Sequence, residues 1–228
     1  MRTFSHRALA TAPTAQAAEV VDSLRLLLLV AYLQSELYSR AAAATGFIAA
    51  AEATVFTTLN AHEAQHVSRL TELVAARGGA AIPRPTFDFS AKGALPGFAF
   101  AADQYETFRT LAQAFEDLGV RAYKGQVEAL VADEPALNAA LAIHAVEARH
   151  AAEVRRLRGK RSWITGSTLD DVPPFLQAVY AGEDVTTQGT VNVAGAIAAT
   201  GGADAASQAF DEPLTAAQVT AVVNLFVV

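Results

Sequence analysis

The chain has 228 residues, 52% hydrophobic and 18% charged, which suffices for one sizeable core and argues against long disordered tracts. A formal net charge of −6 and a pI near 5.3 exclude a general nucleic-acid binder, which needs a basic surface to displace counterions from phosphates. With no cysteine, neither a disulfide framework nor a thiolate metal site can form.

The opening stretch MRTFSHRALATAPTAQAA carries Arg2 and Arg7, then small residues that suit a signal peptidase. It lacks the continuous apolar segment of a secretory leader, so the expectation is a secreted or soluble chain with no clear signal peptide. The apolar run Leu26 to Leu33 is far shorter than the roughly 20 residues that span a bilayer, and no membrane span is expected.

Four long helical patterns follow. The first runs from about Val20 to Ala44, with Leu26, Leu29, Leu33 and Leu37 at three- and four-residue steps, and Gly46 breaks it. The second runs from about Ile48 to Ala76 and stops at Gly78 and Gly79. The connection AAIPRPTFDFSAKGALPGFAF, in which Phe87, Phe89, Phe98 and Phe100 alternate with polar or small residues, is long enough to cross a bundle from end to end. The third pattern spans about Ala101 to Val131, through Phe108, Leu111, Phe115 and Leu118. Asp133, Glu134 and Pro135 start the fourth, since acids and proline suit a first turn. It continues to about Arg158 and ends among Arg155, Arg156, Arg158, Lys160 and Arg161, either an anion site or a solvated face complementing the helix dipole.

Beyond Trp163 the chain is rich in Gly, Asp and Thr, as expected of loops with short helical turns. A final helix follows FDEPLT, with Thr215 and Gln218 as a capping box and Val219, Val222, Val223 and Phe226 as its apolar face. In that motif Phe210 is expected to anchor the chain, Pro213 to fix its path and Thr215 to cap. The fold expected is all-α: a four-helix bundle over 20–160 and an extension over 161–228 packed on it.

Two spacings carry chemistry. Glu63-x-x-His66 and Glu147-x-x-His150 each place a carboxylate and an imidazole on one helix face, a donor pair that suits Fe or Mn. Two such helices facing each other supply two of each, and carboxylate sites for a metal pair add one Glu from each remaining helix. The third helix offers Glu116 beside its apolar stripe, where an unpaired carboxylate is costly without a cationic partner. Asp117 is the outward-facing alternative. His62 reads as a surface or supporting group, and His144 as a hydrogen-bond partner of a ligand carboxylate or a packed neutral ring. Tyr32, Tyr38 and Tyr123 could line the site or pack in the core, and Glu52, Glu106 and Glu128 read as solvated acids. No Gly-x-Ser-x-Gly elbow and no phosphate-cradling glycine loop is present.

The motifs HEAQH, FEDLGVRAY, VEARHAAEVR and FDEPLT, in this order, resemble the ferritin-like family that includes the plant desiccation-related proteins and their bacterial and fungal relatives. The resemblance extends from about Val20 to the C-terminus. It implies a ferritin-like bundle with a crossover after the second helix and metal ligands at Glu63, His66, Glu116, Glu147 and His150. In the first helix, where relatives carry acids, this chain has Ala31 and Gln34 if Tyr38 is the family's tyrosine. Either Glu36 serves in a shifted register, or the site lacks its fourth carboxylate. Three carboxylates would hold a second divalent ion weakly, leaving one ion or none. The function implied is a metal-binding, stress-related protein of the di-iron or di-manganese type, oxidase-like or peroxide-consuming if catalytic. The alternative is a metal-poor structural or secreted stress protein. A homo-oligomer, such as a dimer built through the extension, is expected rather than a storage cage.

Overall fold

A computed structural model describes residues 15–168 and 170–228; the leader-like reading of the first residues falls, through residue 14, outside the described residues. Helix α1 (Ala15–Ala43) contains no glycine or proline and is buried almost all round, from Val20 through Leu24, Leu27, Ala31, Gln34 and Tyr38 to Ala41. The chain leaves it through Gly46, whose φ of 74° a β-carbon would strain. Helix α2 (Ala53–Ala76) starts five residues later than the pattern suggested. Phe47 is drawn into an edge-to-face cluster with Phe100, Tyr105 and Phe108, and this holds residues 44–52 in turns. The crossover then carries Phe87 and Phe89 into the core, where Phe89 meets Phe100, Phe115 and Phe226. Helix α3 (Tyr105–Leu130) and helix α4 (Glu134–Leu157) form the second hairpin; the Asp133 carboxylate caps α4 by accepting from the Ala136 N–H. Helix α1 packs on α2 and α3, and α3 packs on α4, whereas α2 and α4 touch sparingly. The all-α bundle with a long crossover is therefore the fold.

The extension wraps one side of α3. It comprises a 3₁₀ turn at Pro174–Val179, a two-residue antiparallel ladder of β1 (Thr187–Gln188) and β2 (Val191–Asn192), the short helices α5 (Val193–Ala196) and α6 (Gly202–Gln208), and α7 (Ala216–Val223). Thr215 and Gln218 form the capping box of α7, whose Val219, Val222 and Val223 are buried with Phe226. Each such side chain contributes about 1.5–3 kcal/mol. Gly125 lets this segment lie flat on α3, because a β-carbon there would come within 2.0 Å of the Leu214 carbonyl oxygen. The last residues pair with the crossover: Asp88 N–H donates to Phe226 O at 2.7 Å and Val228 N–H to Thr86 O at 3.0 Å.

Four expectations change, the first two because the extension covers α3 and the end of α4. Asp117 does not face outward: it is buried and receives a two-pronged bond from Arg155 (3.0 and 2.6 Å) and a hydroxyl from Tyr180 (2.8 Å). The basic cluster at the end of α4 is not one continuous face: Arg155 is buried on Asp117, Arg158 and Lys160 are taken by Asp171, and Arg156 and Arg161 stay exposed. Glu52 is not a solvated acid but binds Tyr105 and Arg109, both at 2.7 Å; Glu106 and Glu128 are exposed as expected. Phe210 is exposed, and the anchor of its motif is Leu214, fully buried. Among the described residues no helix is long and apolar enough to cross a membrane.

Candidate metal centre

Glu63, Glu116, Glu147 and His150 bring one potential ligand atom each to within 4.8 Å of one another, and all four are buried. His66 closes the group from the α2 side: its Nδ1 lies 2.9 Å from Glu147 Oε1 and 3.2 Å from Glu63. Both imidazoles present Nδ1 to the carboxylates, His150 Nδ1 standing 3.1 Å from Glu63 Oε1 and 3.3 Å from Glu116 Oε2. This is the consequence of Glu-x-x-His on two facing helices, which aims each pair inward at the same level.

Helix α1 contributes an amide where a carboxylate was expected. Gln34 is fully buried; its Nε2 donates to Glu147 Oε2 at 2.6 Å, to Phe115 O at 3.2 Å and to Glu116 Oε2 at 3.4 Å. One turn on, Tyr38 donates to Glu116 Oε1 at 2.5 Å. Glu36 is not brought to the cluster: it is half-buried and pairs with Arg40 at 2.9 Å and Arg84 at 3.2 Å. Ala31 is buried in the apolar core. The shifted-register alternative therefore has no geometry behind it.

Burial and mutual repulsion shape the charges. Burial, then Glu116, pushes Glu147 above the usual carboxylate range; Glu116 is raised by burial despite the neighbouring His150. Burial alone would lower both histidines, but Glu147 and Glu63 lift His66 to about 10, and Glu116 with Glu63 and Glu147 lifts His150 to about 11. Two imidazolium rings thus stand against three carboxylates.

This pairing is incomplete. Glu63 Oε1, Glu147 Oε1 and His150 Nδ1 are buried with no hydrogen bond, although each lies close to the others' group. Buried polar atoms normally find partners, and orphans that share one centre ask for a common one. Oxygen and imidazole donors, with no sulfur, are the set that hard-to-borderline divalent ions accept. The residues present therefore fit a metal ion.

The supporting groups sort as follows. His62, on the exposed side of α2, stacks on His150 with its Nδ1 3.0 Å from His150 Nε2, which holds the ring that faces the cluster. His144 makes no bond to a cluster carboxylate; it is half-buried beside the Val120 backbone, and burial lowers its pKa. Tyr32 is remote, reaching toward Ile82 O under Arg84. Tyr123 is buried with an unpartnered hydroxyl, raised far above its ordinary pKa by burial and by Glu147, Glu63 and Glu116. Sequence reasoning overlooked Gly119. A β-carbon there would stand 2.3 Å from Glu147 Oε2 and 2.7 Å from Gln34 Nε2, so it would push both side-chain tips from the positions they hold. A glycine inside a helix costs about 0.5–1 kcal/mol, and that cost was the available signal.

No curated protein sequence matches the chain. The model of the family described as "Ferritin-like domain" matches residues 19–160, the segment that carries the four helices and every residue of the buried cluster. With most of its length inside that match and its acids and imidazoles gathered at the centre of the bundle, the chain belongs to the ferritin-like domain family.

Proposed function

We propose that this protein binds a divalent first-row metal ion, Fe(II) or Mn(II), with Glu63, His66, Glu116, Glu147 and His150 as ligands. The observation that carries the reading is the convergence of Glu63 Oε1, Glu147 Oε1 and His150 Nδ1, all buried, without a well-aligned hydrogen bond and held only by close contacts of 2.9 Å (His66 to Glu147) and 3.1 Å (His150 to Glu63). Three carboxylates more than neutralise one divalent ion but leave a pair one positive charge in excess, and Gln34 supplies no fourth. One ion is therefore held firmly and a second weakly. When bound, such an ion supplies one-electron exchange with dioxygen or peroxide. The chain's own residues orient the site: Gln34 fixes Glu147, Tyr38 fixes Glu116 and His62 fixes His150. The fully buried Gln34, Tyr38 and Phe115 side of the cavity keeps water out.

The role in desiccation or other stress rests on the FDEPLT segment and its family resemblance. A second reading, a structural protein that keeps the bundle without the metal, draws on the same contacts. The two imidazolium rings, Gln34 and Tyr38 offset most of the carboxylate charge by themselves.

Elemental analysis of protein purified without chelator separates the two. About one equivalent of Fe or Mn, lost in Glu63→Ala/Glu147→Ala, is expected. Less than about a tenth of an equivalent after loading with Fe(II) or Mn(II) would leave only the structural reading.

A further inference from the structure

Where α2 and α4 touch sparingly, a groove of about 270 Å³ opens on the surface. Its floor is Val55 and Leu59 of α2 with Val146 of α4, and its inner end is the His62–His150 stack. His150 belongs to both spaces: one ring edge lines the groove and the other faces Glu63 and Glu116. The groove therefore stops one imidazole short of the cluster.

The charges at its mouth are selective. Arg149 stands on the rim, exposed, and makes no ion pair among the described residues. Of the twelve described arginines only Arg161 shares that condition. The groove's carboxylate, Glu153, is turned to Arg156, which holds both its oxygens at 2.6 and 2.8 Å. A cation meets repulsion here, whereas an anion meets a free guanidinium above an apolar floor. The volume holds about nine water-sized groups at roughly 30 Å³ each, the scale of a small organic molecule rather than a peptide.

We propose that the α2–α4 groove binds a small carboxylate with an apolar body, its headgroup on Arg149 and its far end against the His62–His150 stack. This gives the buried centre an organic ligand delivered through a single imidazole wall. It rests on the proposed metal site only for what lies behind that wall, and binding to the groove needs no metal.

The test is titration of the full-length protein, metal-free and after Mn(II) loading, with octanoate and separately with 1-octanol, by calorimetry, with the metal-free His62 ring resonances as a second readout. Saturable octanoate binding that moves those resonances is expected. Arg149→Ala should weaken octanoate about three- to fivefold, the worth of an exposed ion pair, and leave octanol unchanged. Thr58→Trp, at an exposed position that narrows the groove, should abolish both without altering the helical spectrum. Octanoate that leaves His62 unmoved, or that binds Arg149→Glu as tightly as wild type, overturns the proposal. So does a wild-type dimer that Thr58→Trp dissociates, because the groove's occupant is then a second copy. Metal content is measured in the same samples, so octanoate binding by protein that takes up no Mn(II) on loading refutes the metal reading alone.

Discussion

Glu116 and Asp117 are neighbours on α3, equally buried, and they live in opposite worlds. Glu116 looks into the bundle at two other carboxylates and an imidazole that stay short of hydrogen bonds. Asp117 looks toward the extension and is saturated by Arg155 and Tyr180. A second buried pair, Arg121 with Glu183 at 2.7 Å, lies farther along the same helix, where Arg121 also donates to Val179, Ala181 and Glu212 carbonyls while Glu183 Oε2 is left without a hydrogen bond. One side of α3 carries ion pairs that fasten the extension to the bundle, the other the convergent cluster proposed above to hold a metal ion. A buried carboxylate, even one with an unpartnered oxygen such as Glu183 Oε2, therefore identifies nothing by itself; what sets the cluster apart is that several such atoms converge on one centre.

The largest expected effect tests the fastening side. Asp117→Ala leaves the buried Arg155 with only Asp170, at 3.2 Å, as an ionic partner, which costs up to about 3–5 kcal/mol and should pull the urea midpoint down sharply, with the extension loosening first. A loss below about 1 kcal/mol would mean the pair is not what fixes the extension. On the other side, Glu147→Gln should cut metal affinity by about 100-fold or more, read by competition with a chelator, while the metal-free protein loses far less stability than Asp117→Ala does.

The pH response sharpens the same contrast. In the metal-free protein His66 titrates near 10 and His150 near 11, so both rings are protonated at neutral pH and must shed those protons to act as ligands. Metal affinity should rise between about pH 6 and 8 by up to about 100-fold per pH unit, with close to two protons released per ion in calorimetry. The metal-free stability runs the other way. Both histidine pKa values are raised on folding from 6.5, so their contribution is complete below about pH 6.5 and fades as pH climbs through 10 to 11. A metal affinity indifferent to pH would remove the histidines from the ligand set.

The smallest effect is the most informative about Gln34. Gln34→Glu replaces an amide donor by a fourth carboxylate, so affinity for a second divalent ion should rise about tenfold and the metal-free protein should become less stable. If titration still ends at one equivalent, charge is not what limits the site.

Much of this was legible in the sequence, because helical spacing is a local property. The paired Glu-x-x-His motifs, the aromatic crossover and the capping box of α7 each follow from residues a few positions apart. Asp117 was misread for a physical reason. On an isolated bundle its face is the solvent face, and only the extension, some 60 residues away along the chain, buries it. Arg155 was misread in the same way: in the sequence it is one of five cations, and its distinction is that the extension closes over it. The substitution at Gln34 was visible, but not that its amide would point at Glu147 across the bundle. That is a matter of helix rotation, set by the whole core.

The missing side chain at Gly119 has a mechanical corollary. What a side chain there would meet is the tips of Glu147 and Gln34, so the bare backbone at that point leaves room for the bond between those two groups. Even one methyl group would act as a wedge between Glu147 and Gln34, parting an amide and a carboxylate that come from opposite sides of the bundle.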